Sequence, residues 1–122
     1  MKVLIIEDDA NTAYIINKEL MHGYNIEPDI AINGVEAYKI LFNTKPEEKY
    51  EFIILDLKLP DENGVEIGKF IRSKFTSKII IYTASWFVDY KDKCEYDYFI
   101  EKGYGFEPVI NIIKKEFFNR YS

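Results

Sequence analysis

The residues that could do chemistry lie at the ends of apolar runs. The stretch EFIILDLKLPDENG, residues 51–64, has four consecutive apolar residues that lead directly into Asp56. The N-terminal run KVLII leads in the same way into Glu7 and Asp8. Short continuous apolar runs are typical of buried strands. These carboxylates are therefore expected where the chain leaves the core.

Clustered carboxylates repel one another and take up protons unless a cation compensates. Mg²⁺ suits such a cluster because it binds one or two carboxylates together with water and phosphate oxygens. A carboxylate can also attack phosphorus and form an aspartyl phosphate. A hydroxyl and an ammonium then stabilise the charge on the phosphoryl oxygens. Two further apolar runs end at Thr83 and Lys102, which supply these two groups.

Five apolar runs alternate along the chain with five segments of helical pattern, in the order βαβαβαβαβα. This alternation predicts a parallel sheet with helices on both faces. In such a sheet, ligands bind at the carboxyl ends of the strands. Pro28 places the second strand at an outer position. The helical stripes are Ala13, Ile16 and Leu20; Ala37, Ile40 and Leu41; Ile67, Phe70 and Ile71; and Val109, Ile110, Ile113 and Phe117.

The totals narrow the class of protein. The 122 residues fit a single domain, 1–122. The net charge of -5 and the lack of a basic cluster argue against nucleic acid as a partner. No apolar run approaches the ~20 residues that span a bilayer, so no membrane partner is expected. Cys94 is the single cysteine, which excludes an internal disulfide. A small, soluble, cytoplasmic domain is the expectation.

Four pieces of the sequence match a known family. VLIIEDD, FIILDLKLPDENG, IIIYTAS and DYFIEKG each fall at the end of a predicted strand. Over essentially its whole length the chain resembles the receiver domain of response regulators in two-component signalling. The resemblance implies a doubly wound α/β fold of CheY-like type, with five parallel strands in the order 2-1-3-4-5.

The resemblance also implies a role for each matching residue. Asp56 is expected to be the phosphoacceptor, Thr83 to hydrogen-bond the phosphoryl group and Lys102 to pair with it. Phe99 occupies the aromatic switch position and acts with Thr83. The expected Mg²⁺ ligands are Glu7 (through water), Asp8, Asp56 and the backbone carbonyl of Lys58. The loop after Asp56 is shaped by Pro60 and Gly64, and the pocket is flanked by Lys58 and Ser85.

Several residues have plainer interpretations. Asp9 is expected to cap a helix, His22 to lie on the surface near a helix end, and Cys94 to pack in a short helix. Phe99 is expected to be a core aromatic as well. For a last group the sequence leaves core packing and an exposed partner surface equally open: Trp86, Phe87 and Tyr90.

The chain departs from the family pattern in two places. Gly103 follows Lys102, where the family usually has a proline after a cis peptide bond. The segment between Thr83 and Lys102 is also shorter than usual, which predicts an abbreviated fourth helix. A cis bond costs about 2.5–4 kcal/mol without proline, so the Lys102–Gly103 bond is predicted to be trans.

The expected function is a phosphorylatable receiver domain. A sensor histidine kinase or phosphotransfer protein is expected to donate a phosphoryl group to Asp56 in the presence of Mg²⁺. Phosphorylation is expected to switch a surface that contacts an unknown output protein. The domain is not expected to be an enzyme beyond slow self-phosphorylation and self-dephosphorylation. One alternative is an interaction module that works without phosphorylation. Another is a phosphohydrolase with an aspartate nucleophile. That class has a second acid two residues after the nucleophile, and Lys58 at this position argues against it.

Overall fold

Five parallel strands form one sheet in the order β2-β1-β3-β4-β5. The structure is a computed structural model that describes residues 1–121, without the side chain of Tyr121. The strands are β1 Val3–Ile6, β2 Asp29–Ala31, β3 Phe52–Leu55, β4 Lys78–Thr83 and β5 Tyr98–Glu101. The helices are α1 Ala10–Tyr24, α2 Gly34–Asn43, α3 Gly64–Lys74, α4 Phe87–Tyr90 and α5 Glu107–Tyr121. Short 3-10 turns lie at Pro46–Glu48 and Lys102–Tyr104. The predicted fold class and strand order are confirmed.

The continuous apolar runs follow from burial of the sheet on both faces. Strands β1 and β3 are buried at every position and pair in register from Val3↔Phe52 to Ile6↔Leu55. Successive residues point to opposite faces, so Leu4 and Ile6 pack against α2 and α3. Val3 and Ile5 belong to the second core cluster, against α1 and α5. Both strands are thereby fixed along their whole length, including the ends that carry the acids.

Side-chain caps fix where the helices begin at this edge of the sheet. The Asp9 carboxylate accepts a hydrogen bond from the Thr12 N–H at 3.2 Å and so caps α1. Asn33 caps α2, and the Asn63 side chain accepts from the Val65 N–H at 2.9 Å to cap α3. These caps satisfy N–H groups that have no partner within the helix. The prediction for Asp9 is confirmed.

Three predicted core residues lie at the margin of the core instead. Ile40, Phe70 and Phe117 are half-exposed, while the other members of their stripes are buried. Each helix packs on the sheet along a narrow line, so the flanking positions of its stripe stay in contact with solvent. Pro28 precedes β2, which lies at the sheet edge as predicted. Within the described residues, no helix has the length and apolar character needed to cross a bilayer.

Candidate functional site

Three carboxylates meet where β1 and β3 end. Glu7 and Asp8 follow β1, Asp56 follows β3, and one carboxylate oxygen from each lies within 4.8 Å of the others. Glu7 and Asp56 are buried, whereas Asp8 is exposed. The cluster therefore has a buried floor and one acid that reaches solvent. Hard oxygen donors in this arrangement suit Mg²⁺.

The loop after Asp56 depends on a glycine. The Lys58 N–H donates to Asp56 Oδ1 at 3.1 Å, and Lys58 forms an isolated antiparallel bridge with Asn63. The Gly64 N–H donates to the Leu57 carbonyl at 2.9 Å. A Cβ at Gly64 would lie 2.4 Å from the Asp56 carbonyl oxygen and 2.7 Å from Leu57 Cα. Gly64 thus permits a close backbone approach that orients the Asp56 carboxylate.

Lys102 lies between the two buried acids. Its ammonium contacts Glu7 Oε1 at 2.7 Å and Asp56 Oδ2 at 3.0 Å. The residue begins the 3-10 turn directly after β5, so the sheet delivers it from the opposite side of β3. One cation thus offsets much of the repulsion between Glu7 and Asp56.

Burial and these contacts shift two pKa values. Burial raises the pKa of Glu7 to about 7; the hydrogen bond from Lys102 opposes this shift, and the charge of Asp56 adds to it. Burial acts to lower the pKa of Lys102, but its hydrogen bonds to Glu7 and Asp56 outweigh burial and raise it. Lys102 is therefore cationic at neutral pH, while Glu7 is close to its titration range.

Thr83 and Ser85 lie at the end of β4. Thr83 is fully buried, and its hydroxyl accepts a hydrogen bond from the Ser85 N–H at 3.3 Å. The buried Ser85 hydroxyl has no hydrogen-bond partner among the described residues. A cleft of about 230 Å³ adjoins it, lined by Lys58, Ala84, Ser85, Trp86, Asp89 and Tyr90.

The segment between β4 and β5 has a short fourth helix, and the bond after Lys102 is trans, as the departures from the family pattern predict. Helix α4 has four residues, and the described chain contains no cis peptide bond, so Lys102–Gly103 is trans. Phe99 is half-buried and forms an aromatic trio with Phe87 and Tyr96, whose ring centroids lie 5.2 and 5.7 Å from its own. It packs against the core.

Of the three aromatic residues for which the sequence left core packing and surface exposure open, two are exposed. Trp86 is 67% exposed and Phe87 is 38% exposed, while Tyr90 is half-buried. His22 is exposed in the last turn of α1, and the half-buried Cys94 thiol donates to the Tyr90 carbonyl at 3.2 Å. The interpretation of His22 agrees with its position. Cys94 packs against the core as predicted, but it lies in a bend after α4 and not in a helix, because α4 ends at Tyr90.

Two contacts near the site have no sequence prediction. Asp61 accepts hydrogen bonds from the N–H groups of Gly34 and Val35, at 2.7 and 3.0 Å, and so ties the loop after β3 to the start of α2. Glu101 accepts from the Phe87 N–H at 3.0 Å. The sequence separations of 27 and 14 residues hide both pairs from any local pattern. The one available signal was an acid at the carboxyl edge of the sheet, in a loop for Asp61 and at the end of β5 for Glu101.

Taken together, the structure brings Glu7, Asp8, Asp56 and Lys102 into one small volume, with Thr83 at the end of the next strand. A carboxylate that is buried beside other acids and a single ammonium can accept an electrophile while a dication screens the charge. This donor set fits Mg²⁺, because it offers carboxylate oxygens with one open side.

Comparison with known proteins yields the same family. The family model for the response regulator receiver domain matches residues 3–114. The response regulator ArlR of Staphylococcus saprophyticus is 45% identical over 84 residues, which cover 68% of this chain and 36% of that relative. The cell cycle transcriptional regulator CtrA of Caulobacter vibrioides is 36% identical over 96 residues, covering 76% of this chain and 38% of CtrA. The chain thus matches little more than a third of these relatives.

A solved structure supports the match. The crystal structure of the response regulator TrrA from Thermotoga maritima, in complex with Mg²⁺-BeF, superposes with a TM-score of 0.76 at 29% identity. The superposition covers 93% of this chain and 96% of TrrA. By family model, relatives and fold, the chain belongs to the response regulator receiver domain family.

Proposed function

We propose that residues 1–122 form one receiver domain that accepts a phosphoryl group on Asp56. The carrying observation is the buried Asp56 carboxylate, which lies within 4.8 Å of two further acids and 3.0 Å from the Lys102 ammonium. Such an arrangement places a carboxylate beside an ammonium and two further acids, where it can act as a nucleophile towards phosphorus. A histidine kinase or phosphotransfer protein in the cytoplasm would be the donor.

In the reaction, an Asp56 oxygen attacks phosphorus, and the bond from phosphorus to the donor nitrogen breaks, with its electron pair returning to that nitrogen. Asp56 Oδ2 is held by Lys102 and Oδ1 by the Lys58 N–H. The Lys102 ammonium then follows the charge onto the phosphoryl oxygens, and the Thr83 hydroxyl donates to one of them. Asp8, Asp56 and the Lys58 carbonyl would hold Mg²⁺ directly and Glu7 would hold it through water. The bound ion would screen the charge on the reacting oxygens.

The new group adds a charge of about −1.5 to −2, and this charge is the signal. Thr83 and Phe99 lie on adjacent strands, β4 and β5, so a rearrangement at Thr83 can reach the segment 84–99. An output protein would contact that segment, where Trp86 and Phe87 are exposed. The domain would have no catalytic turnover beyond slow reaction at its own Asp56.

One observation favours an interaction module that does not need phosphorylation. Helix α4 has four residues, and it lies in the region through which the family signals. The full set of acids, hydroxyl and ammonium argues for the phosphorylated form, because an unused pocket would not need three carboxylates at one edge. Acceptance of a phosphoryl group separates the two functions.

The test is incubation with acetyl phosphate and Mg²⁺, followed by intact mass. The wild-type chain should gain one phosphoryl mass. Asp56→Asn should remove the gain, whereas the matched control Asp9→Asn should keep it, since Asp9 caps α1 outside the cluster. Equal labelling of wild type and Asp56→Asn would overturn the proposal. A wild-type chain that is folded but not labelled would favour the interaction module. Steady release of phosphate would favour a phosphohydrolase.

A further inference from the structure

An exposed aromatic surface lies between α2 and α3, away from the acidic cluster. We name it the α2–α3 patch; it consists of Val35, Tyr38, Phe42 and Phe70. Phe42 is 65% exposed and Val35 is 63% exposed. Three of its members, Val35, Tyr38 and Phe42, line a shallow groove of about 570 Å³ together with Lys39, Asn43 and Glu62. Contiguous exposed apolar surface of this kind marks an interaction site more often than isolated apolar residues do.

The three rings of the patch already pack on one another. The centroid distances are 5.9 Å for Tyr38–Phe42, 5.6 Å for Tyr38–Phe70 and 4.9 Å for Phe42–Phe70. Aromatic side chains that are held in place lose little conformational entropy on binding. The patch is therefore a preformed surface.

The two ends of the patch carry opposite charges. Glu62, in the loop before α3, packs against the first residue of α2: a Cβ on Gly34 would be 2.4 Å from Glu62 Cβ. Lys74 lies at the other end, where its ammonium donates to the Leu41 and Phe42 carbonyls at 2.7 and 3.3 Å. Neither Glu62 nor Lys74 has a partner of opposite charge among the described residues.

The charges lie close enough to act on the patch. Burial first, and then the negative charges of Glu62 and Glu66, raise the pKa of Tyr38. The Lys74 ammonium lies 6.0 Å from the centroid of the Phe70 ring. The patch thus has an acidic end beside Tyr38, an aromatic centre and a basic end beside Phe42.

A surface with this order of charges is complementary to itself. A two-fold axis through the aromatic centre places the acidic end of one copy on the basic end of the other, and it places the rings on the rings. Isologous contacts of this type bring residue i to residue j and residue j to residue i. We propose that the α2–α3 patch binds a second copy of this chain, with Glu62 of each copy facing Lys74 of the other.

The first test removes the aromatic centre. Sedimentation velocity over a concentration series should show a monomer–dimer equilibrium for the wild-type chain. Phe42→Ser should raise the dissociation constant at least about tenfold, because a central aromatic carries much of the energy of an interface. The matched control is Phe118→Ser on α5, which removes an aromatic that is 49% exposed and should leave the equilibrium unchanged. Circular dichroism melts check that both variants fold.

The second test uses the charges. Glu62→Lys and Lys74→Glu should each weaken self-association, since each places like charges at both contacts of the pair. An equimolar mixture of these two variants should associate again, because the mixed pair restores both contacts. A folding defect cannot produce that recovery.

Three outcomes overturn the proposal. The first is a wild-type chain that remains monomeric at every concentration, which leaves the patch for another protein. The second is a dimer that is insensitive to Phe42→Ser, and the third is a mixture of the two charge variants that does not associate.

Discussion

The edge of the sheet formed by β1 and β3 differs sharply from the segment that connects β4 to β5. Both β1 and β3 are buried at every position, and the neighbouring helices α1, α2 and α3 have 15, 10 and 11 residues. By contrast α4 has four residues, and no position of β5 is fully buried. The acids lie on the rigid side, and the exposed aromatics Trp86 and Phe87 lie on the other.

The difference teaches which part of the molecule the chemistry constrains. Buried acids within 4.8 Å of one another tolerate little displacement, because small shifts change their repulsion and their contact with the cation. The connection between β4 and β5 has only to return the chain and deliver Lys102. It can therefore lose most of a helix while the cluster stays intact. Four substitutions can break or sharpen this comparison.

The largest effect is expected at Lys102, which directly follows β5 and contacts Glu7 and Asp56 at the ends of β1 and β3. Lys102→Met leaves Glu7 and Asp56 buried without a cation and should cost about 3–5 kcal/mol in the free energy of unfolding. Lys58→Met, which removes an exposed lysine beside the same site, should change it by at most about 0.5 kcal/mol.

The loss of stability in Lys102→Met should depend on pH. Burial raises the pKa of Glu7 from 4.5 to about 7. A carboxyl group with a raised folded pKa favours folding at low pH, and this contribution is lost as pH rises through the folded pKa. Removal of Lys102 raises that pKa further. Urea unfolding should show a smaller difference between wild type and Lys102→Met near pH 5 than above pH 7, because the contact with Asp56 is lost at both pH values while Glu7 is protonated only at the lower one. A pH-independent loss would contradict the role of Glu7.

The second effect concerns metal at the rigid edge. If the proposed site binds Mg²⁺ and exists only in the folded cluster, Mg²⁺ at about 100 times its dissociation constant should stabilise the fold by about 2.7 kcal/mol. Asp8→Ala should remove the rise in melting temperature with Mg²⁺. Asp89→Ala, an exposed acid of α4, should keep the rise. A response that survives in Asp8→Ala would place the ion elsewhere.

The rigid edge was predictable because its signals are local. The run FIIL followed by Asp56, and the run VLII followed by Glu7, each encode a strand and its end within a few residues. Parallel pairing then brings both ends together without further information. The direct contact of Lys102 with Glu7 was not predicted, since the sequence indicated a role for Glu7 near metal and not a competing ammonium.

The rest of the site was beyond sequence reasoning for a physical reason. The hydrogen bond to Asp61 comes from Gly34 at the start of α2, and the one to Glu101 at the end of β5 comes from Phe87 at the start of α4; both depend on how these elements pack in the finished fold. The exposure of Phe42 depends on how far α3 lies from α2, and the helical period does not encode this distance. Periodicity predicts which face of a helix is apolar, and it leaves open how much of that face a neighbour covers.

The third effect compares two glycines: Gly64, at the edge formed by β1 and β3, and Gly103, in the 3-10 turn directly after β5. Gly64→Ala places a Cβ 2.4 Å from the Asp56 carbonyl oxygen, and the backbone must move, at a cost of about 1–3 kcal/mol. Gly103→Ala meets nothing within 4 Å and should be neutral or stabilise by about 0.4–1 kcal/mol. Gly64→Ala should also slow labelling of Asp56 by acetyl phosphate. Equal stability of the two variants would show that the edge at β3 is less constrained than the comparison holds.

The smallest effect is expected where the two regions meet. Glu101 accepts a hydrogen bond from the Phe87 N–H, and the next residue, Lys102, contacts Glu7 and Asp56. Glu101→Ala should cost about 0.5–1.5 kcal/mol. The loss should stay local: hydrogen exchange should accelerate at the Lys91 amide, which donates to the Phe87 carbonyl at 2.8 Å, and labelling of Asp56 should be unchanged.

Glu101→Gln is the matched control, because its amide oxygen can still accept from Phe87 and exchange at Lys91 should remain slow. If exchange is slow in Glu101→Ala as well, ring packing of Phe87 on Phe99 alone holds α4 in place. If labelling of Asp56 falls together with protection at Lys91, the short helix and the acidic edge form one cooperative unit. The contrast between the two regions then fails at its boundary, because a signal could pass from Lys102 to α4 through the single residue beside it.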